Sequence, residues 1–384
     1  MREVVIVEAV RTPVGRRKGV LSNIRPDDLV AEVLKELVNR AGVSPDLIED
    51  VILGCVTQIG EQGVNIARTA ALTAGFPIQV PGTTIDRQCG SSQQAVHFAT
   101  QAILSGDMDI VIAGGIESMT RVPMLSNFQG TSWSEKLTSR HEIIHQGLSA
   151  ERIAETWGIT RSKADEFSLE SHKKAIKAQE EGRFDREIMP IVVTLEDGTK
   201  QVITQDEGPR RGTTIEKLAS LKPAFTEDGI IHAGNSSQMS DGAAALLLMS
   251  KEKALELGLK PRFKVLARTV VGSDPTLMLT GPIEATKLVL KKANMEVLDI
   301  DIFEVNEAFA PVPMVWLEEI GADPSKLNPN GGAIALGHPL GASGARVMIT
   351  LIHELERTGA RFGLQAICEG NGMANATIIE RIEE

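Results

Sequence analysis

The sequence predicts an α/β protein built of two similar halves, with a polar segment inserted into the first. Three observations carry this expectation. Short β-branched runs alternate with helix-period runs along the chain, which indicates parallel-rich sheets covered by helices. The order of these signals near the N-terminus recurs from residue 263 onward. One long polar stretch interrupts only the first copy.

In the first copy a strand at Val4 to Val7 leads to Arg25-Pro26-Asp27-Asp28-Leu29, which opens a helix ending near Ala41-Gly42. Asp46 to Leu53 follows as loop and strand. In the second copy a strand at Phe263 to Arg268 leads to Gly281-Pro282-Ile283-Glu284-Ala285, a helix ending near Ala293-Asn294, and then Leu298 to Val305. In both, proline stands in the first helical turn, where its missing N–H costs nothing. Cys89 before its helix (Ala95 to Leu104) then corresponds to His338 before its helix (Ala345 to Leu355). Asp109 to Gly115 corresponds to Phe362 to Cys368, and Ala243 to Met249 corresponds to Ala374 to Glu380. In the second copy a short glycine turn separates the last two strands. In the first, a polar segment with helical stretches at Ser149 to Gly158 and Ser162 to Glu181 intervenes. The expected division is 1–118 with 240–262 as one core half, 119–239 as an inserted domain, and 263–384 as the other half. Two such copies imply a pseudo-twofold core in which helix N-termini from both halves face one site.

The chemistry gathers in glycine-framed segments at those helix entrances. Cys89 lies in Asp86-Arg87-Gln88-Cys89-Gly90-Ser91-Ser92, after the strand-like Val80 to Ile85. A cysteine at a helix N-terminus meets free N–H groups and the positive end of the dipole, which favour the thiolate. Read alone, it is also compatible with a buried apolar filler. His338 lies in Asn330-Gly331-Gly332-Ala333-Ile334-Ala335-Leu336-Gly337-His338-Pro339-Leu340-Gly341-Ala342-Ser343-Gly344. Histidine is the commonest general base, although a loop histidine can be purely structural. Cys368 opens Cys368-Glu369-Gly370-Asn371-Gly372-Met373 at the end of a short apolar strand. A Cys/His pair with a second thiol points to acyl transfer through a thioester, with another proton moved elsewhere in the cycle. Cys55 reads as a core residue.

Composition agrees with an enzyme of this kind. Among 384 residues, 42% are hydrophobic but only 3% aromatic, so aliphatic, closely packed cores are expected. The net charge of −11 argues against nucleic acid or an anionic membrane as partner. No apolar run approaches a bilayer-spanning length, and no metal-ligand spacing stands out. Met1-Arg2-Glu3-Val4-Val5-Ile6-Val7 reads as a first strand and not as a leader, and Ile382-Glu383-Glu384 is no targeting address. Three cysteines give no disulfide framework, so a reducing, cytoplasmic setting is expected. Within this acidic chain Arg210, Arg211, Lys217 and Lys222 form a basic cluster near the loop-like Gln205 to Gly212. It reads either as a solvated face or as a clamp for phosphates.

Over essentially its whole length the chain resembles the thiolase family. Cys89 with its Cys-Gly-Ser-Ser surroundings resembles that family's nucleophile. Asn306-Glu307-Ala308-Phe309-Ala310 resembles its asparagine motif, Asn330 to Gly344 its histidine signature, and Cys368 to Met373 its C-terminal cysteine motif. The resemblance implies a duplicated βαβαβαββ core with a loop domain inserted in the first half, and coenzyme A thioesters as substrates. It implies that Cys89 attacks a 3-oxoacyl-CoA while His338 takes its proton, and that Cys368 protonates the departing acetyl-CoA carbanion. His338 with a water held by Asn306 would form one oxyanion hole, and the N–H groups of Cys89 and Gly370 the other. Arg210, Ala233 and Ser237 match positions that contact coenzyme A; His145 and Phe309 match positions near the pantetheine and acyl end. No permanently bound cofactor is implied, since coenzyme A is substrate and product. A homodimer or homotetramer is implied, with a 3-hydroxyacyl-CoA dehydrogenase as a further partner.

Glu369 and Asn371 interrupt the glycine run that many members have after the second cysteine. The segment Met119 to His145 is shorter than in biosynthetic acetoacetyl-CoA members, and Gln146 stands where those usually carry methionine. Both differences point toward a degradative 3-ketoacyl-CoA enzyme; the biosynthetic acetyltransferase is the alternative. A decarboxylating β-ketoacyl synthase is disfavoured by Cys368. A non-catalytic carrier of the same fold is disfavoured because no reactive group is missing.

Overall fold

The computed structural model describes residues 2–195 and 197–383. Met1 and Glu384, which close the terminal segments read above, lie outside the described residues, as does Glu196. The first part of the chain runs β1 (Val4–Arg11), β2 (Gly15–Arg16), α1 (Pro26–Ala41), β3 (Asp50–Gly54), α2 (Ile66–Thr73), β4 (Gly82–Ile85), α3 (Ser91–Ser105) and β5 (Ile110–Ser118). Next come α4 (Glu135–Thr138), α5 (Gln146–Thr156), α6 (Arg161–Glu180), a hairpin of β6 (Ile191–Thr194) and β7 (Lys200–Ile203), and α7 (Ile215–Ala219). The core resumes with β8 (Ser240–Ser250), α8 (Lys251–Glu256), β9 (Phe263–Gly272), α9 (Gly281–Ala293), β10 (Ile302–Val305), α10 (Pro311–Ile320), α11 (Ala333–Leu336), α12 (Leu340–Thr358), β11 (Phe362–Glu369) and β12 (Met373–Arg381).

The repeat is visible in how the strands pair. The order β4-β3-β5-β8-β1 continues through β9-β12-β11-β10. In the first half β3 and β5 are parallel, while β5–β8 and β8–β1 are antiparallel. In the second, β10 and β11 are parallel, while β11–β12 and β12–β9 are antiparallel. The two halves join where β1 meets β9 antiparallel, Val5 opposite Lys264 and Ile6 opposite Phe263. The helix ends repeat too. Gly42 closes α1 at φ 65° and Asn294 closes α9 at φ 53°, both left-handed positions that glycine and asparagine tolerate.

Two departures from the expected repeat have physical causes. The counterpart of β4 shrinks to a single parallel bridge, Phe303 to Leu327. Pro324 and Pro329 flank it and supply no N–H to a longer ladder. The alignment of β5 with β11 is also one residue off in the sequence reading. Asp50 lies opposite Val111 and its counterpart Ile302 lies opposite Gly363, so Val111 matches Gly363 and not Leu364. The pairs Glu117–Gly242 and Glu369–Met373 then fall into step, making Glu117 the counterpart of Glu369.

Packing gives five layers. Helices α1 and α2 cover the outer face of the first half, through Val33, Leu34, Leu37 and Ile66 against Val5, Val51, Ile112 and Leu247. Helices α9 and α10 cover the second half, through Ile283, Val289 and Trp316 against Phe303, Leu364 and Ile378. Between the halves lie α3 and α12, with Val96, Ile103, Met348 and Ile352 packed on Ile6, Leu246, Val265 and Ile379. A strand buried on both faces shows no polar alternation, and β8 is buried at all 11 residues. The middle helices approach closely at Gly344, where a Cβ would stand 2.3 Å from the Gln93 nitrogen. Any side chain there would force them apart, at a cost of about 1–3 kcal/mol or more. The segment between β5 and β8 is tied to the core through Arg11 on β1. Its guanidinium donates to Glu187 at 2.7 Å and to Asp206 at 2.7 and 3.0 Å, all of them buried.

Candidate active site

The two middle helices point their N-termini at one place. Cys89 sits between β4 and α3, in a turn where Gly90 N–H donates to Arg87 O and Ser91 N–H to Gln88 O. Gln88 adopts φ 49° to make that turn. The thiol is 5% exposed. The helix end favours the thiolate, as the sequence leads one to expect, and burial works against it. Burial pushes the Cys89 thiol well above its ordinary value, nearby Cys368 and Glu369 add to the rise, and only its own main-chain N–H opposes them noticeably. A helix end contributes about 0.3–1 kcal/mol, which is small beside the several kcal/mol lost when an anion leaves water. Cys89 is therefore a thiol that needs a base when it attacks.

His338 is the candidate. It stands between α11 and α12, and its main-chain N–H points at Gln238 O and Ser240 Oγ, each at 3.1 Å. Its Nδ1 lies 2.6 Å from Ser343 Oγ. The Ser343 hydroxyl donates its single proton to Pro339 O at 2.8 Å, so its oxygen is left to accept from Nδ1–H. That fixes the tautomer and makes Nε2 the basic nitrogen of the ring. Burial, aided by Arg346, holds the imidazole down at about 3, so the ring is neutral at working pH.

Asn306 and Cys368 complete the group. Asn306 follows β10, and its N–H donates to Ala366 O at 3.0 Å, which sets it beside the end of β11. Its Nδ2 lies 3.5 Å from His338 Nε2. Its side chain also hydrogen-bonds the Cys368 thiol, which burial pushes up to about 12 against that bond. Asn306 Oδ1 is buried without a protein partner. Gly370 heads the next turn, and its α-carbon faces Gln88 Oε1 and Gln146 Nε2, each 3.1 Å from where a Cβ would be. Cys89, His338, Cys368, Asn306 and Gly370 thus meet at the junction of the halves. Each half contributes one helix entrance. Cys55 is buried and free, in the outer core of the first half.

Beside this centre opens a cavity of about 220 Å³ lined by Arg210, Lys217, Ala233, Gln238 and His172. Of the basic cluster, Arg211 turns instead to an ion pair with Glu180. Ser237 is outside that lining; its N–H donates to Ala308 O at 2.9 Å. His145 and Phe309 are linked through Phe225, which stacks on His145 at 5.1 Å and meets Phe309 edge-on at 6.0 Å.

Four residues escaped the sequence reading. Ser343 orients the imidazole. Gln238 spans from the cavity to His338, its amide donating to Gly208, Ile334 and Ala335 carbonyls at 2.9–3.0 Å. Phe225 forms the aromatic run. Glu117 accepts from Val56 N–H, Thr57 N–H, Gln62 Nε2 and Gly341 N–H at 2.8–3.1 Å, and so ties the loop after β3 to the first turn of α12. Only Ser343, inside the histidine motif, carried a signal that could have found it.

Comparison with known proteins places this geometry. Residues 4–252 match the family described as thiolase, N-terminal domain, and residues 259–381 match thiolase, C-terminal domain. A steroid 3-ketoacyl-CoA thiolase of Mycobacterium tuberculosis is 47% identical, over 100% of this chain and 95% of that protein. A 3-ketoacyl-CoA thiolase of Aliivibrio fischeri is 48% identical, over 99% of this chain and 100% of that one. The crystal structure of a Bacillus anthracis acetyl-CoA acetyltransferase superposes with a TM-score of 0.93 at 42% identity, covering 100% of this chain and 99% of that one.

Proposed function

The chain belongs to the thiolase family, and on that premise we propose how its two halves divide one reaction, the coenzyme-A-dependent cleavage of a 3-oxoacyl-CoA. It is an acyltransferase. Cys89 Sγ attacks the 3-keto carbon while His338 Nε2 takes the thiol proton. The C2–C3 bond breaks, the electron pair passes to C2, and the Cys368 thiol protonates that carbon to release acetyl-CoA. The thiol of coenzyme A then attacks the acyl-Cys89 thioester. The shortened acyl-CoA leaves, and Cys89 and Cys368 recover their protons. Run backwards, the cycle is a Claisen condensation in which Cys368 is the base. His338 and a water on Asn306 would hold one oxyanion, and the N–H groups of Cys89 and Gly370 the other.

The observation that supports this most is how the groups converge: Asn306 reaches both His338 Nε2 and the Cys368 thiol, and Cys89 stands close enough to feel the charge of Cys368. Burial holds the imidazole neutral and both thiols protonated at rest. A base, a nucleophile awaiting it and an acid are the starting set for thiolysis. Arg210 and Ala233, on the cavity, would hold the nucleotide end of coenzyme A; Ser237, His145 and Phe309 would follow its pantetheine arm. The segment 119–239 would form a domain of its own over that arm, between core halves 1–118 with 240–262 and 263–384. No helix among the described residues is long and apolar enough to cross a membrane. Three free, buried cysteines support a cytoplasmic location. Strand β4 pairs on one side only, with β3, and such an edge supports assembly into a homodimer or homotetramer. Supply of substrate by a 3-hydroxyacyl-CoA dehydrogenase fits the chemistry of the 3-oxo group.

The test is thiolysis of a panel of 3-oxoacyl-CoA thioesters of rising chain length. Turnover beyond acetoacetyl-CoA supports the degradative assignment. Turnover of acetoacetyl-CoA alone would move it to the biosynthetic acetyltransferase, a reading favoured by the name of the superposing Bacillus anthracis structure.

A further inference from the structure

We propose that Glu369 is a positioning residue for the nucleophile: a buried carboxylic acid that supports the Cys89 turn while protonated and withdraws both active-site thiols from reaction when it ionises. The side chain is fully buried, and neither carboxyl oxygen has a hydrogen-bond partner among the described residues. The carboxyl fills the space a side chain would take at Gly90, where a Cβ would stand 1.9 Å from Oε1. Gly90 has φ −88°, which any residue can adopt, so glycine is required there for room and not for conformation. Neighbouring residues on a strand face opposite ways. Cys368 thus reaches the reacting centre while Glu369 packs under the residue that follows Cys89.

The counterpart in the other half shows what the site lacks. Glu117 occupies the equivalent place on β5 and also faces a helix entrance, that of α12. It accepts four hydrogen bonds there, one from Gly341 N–H. Glu369 at the entrance of α3 accepts none. A buried carboxylate without protein donors is far costlier than the neutral acid. The charged groups that face it are Arg87 and Asp86 from the turn after β4, which act in opposite directions. Burial outweighs both and pushes Glu369 up to about 9. Its charge, when present, raises Cys89 and Cys368 together. A cycle in which both thiols must part with protons is therefore served by keeping this carboxyl neutral, and the absence of donors does so.

The proposal rests on the reading of Cys89 as nucleophile, and alkylation by iodoacetamide separates the two. The probe reads the resting enzyme without substrate, with peptide mass spectrometry locating the adduct. In wild type the Cys89 rate should climb with pH and flatten above about pH 9, as Glu369 loses its proton to solvent. In Glu369→Gln it should keep climbing, opening a gap of about tenfold one pH unit further on. Glu369→Met, neutral and of similar length, should show the same gap if the amide variant does not fold. Superimposable profiles in a folded variant would overturn the role of Glu369. So would a wild-type rate that never flattens, which needs no variant. An adduct on Cys55 in place of Cys89 would overturn the nucleophile reading instead.

Discussion

The two halves share a scaffold and differ in what stands at each helix entrance. In the first, Cys89 stands two residues before α3; in the second, His338 stands two residues before α12. Behind α12 the Glu117 carboxyl accepts from four donors; behind α3 its counterpart accepts from none among the described residues. The strand pair β11–β12 closes through a three-residue turn, whereas β5 and β8 are joined through 121 residues that carry the cavity. A duplicated fold supplies two equivalent helix N-termini aimed at one centre. Side-chain divergence then places a thiol, Cys89, at one entrance and an imidazole, His338, at the other. Local burial and donor count set the chemistry here, because the backbone frame is nearly the same on both sides.

The largest effect is expected from removing Cys89. Cys89→Ser should lower thiolysis and condensation by about 10⁴-fold or more with the fold intact, since an alcohol is a far weaker acid than a thiol. Mass spectrometry of wild type after brief exposure to an acyl-CoA should show the acyl group on Cys89. Residual activity near wild type in the serine variant would sink the assignment. Next comes Cys368→Ala. It should still accept an acyl group on Cys89 but lose about 10²–10⁴-fold in exchange of the acetyl-CoA methyl protons with solvent, the step that needs the second thiol. Equal loss of both partial reactions would show that the thiols do not divide the work.

The paired carboxyls Glu117 and Glu369 should respond differently to loss of charge. Glu117→Gln presents an amide to N–H donors and leaves some of them buried and unsatisfied, so unfolding free energy should fall by about 2–5 kcal/mol. Glu369→Gln should behave differently, and its sign follows from linkage. The native pKa is raised to about 9, so between the ordinary carboxyl range and that value the native state holds a proton the unfolded chain has lost. The stability this group contributes is full below the unfolded pKa and is lost as pH rises, by at most about 1.4 kcal/mol per pH unit, levelling above about pH 9. Glu369→Gln lacks that decline and should gain on wild type between about pH 5 and 9 in denaturant melts. A constant difference across that range would mean that Glu369 is ionised in the native protein.

Much of this frame was legible in the sequence. Pro26 and Pro282 and the left-handed Gly42 and Asn294 mark equivalent helices, and three glycine-framed motifs named Cys89, His338 and Cys368, with the motif Asn306 to Ala310 naming Asn306. The register of β5 against β11 was not legible, because strands buried on both faces carry no alternation to fix it. With it went the equivalence of Glu117 and Glu369. The thiolate expected at Cys89 followed from a helix end visible in sequence, while the burial that outweighs it comes from α12 and β11, distant in the chain. Gln238 and Phe225 gave no signal, since their roles exist only where the insertion folds back on the second half.

The gentlest test concerns that insertion, which only the first half possesses. If it serves binding while the two helix entrances serve chemistry, Arg210→Ala should raise KM for coenzyme A thioesters and leave kcat nearly unchanged. The nucleotide lies far from the bonds that change, so it is held equally in ground and transition states and its loss removes uniform binding. A charge-assisted hydrogen bond to phosphate is worth about 1–3 kcal/mol, or roughly 5- to 150-fold in KM. Arg210 Nη2 reaches Gln238 Oε1 only at 3.5 Å, so little internal structure depends on its guanidinium. A pantetheine thioester without the nucleotide should give the same KM with variant and wild type. A fall in kcat, or an equal loss on the truncated thioester, would show that the insertion reaches the centre through Gln238 and His338, and the division between a binding segment and a catalytic pair of halves would fail.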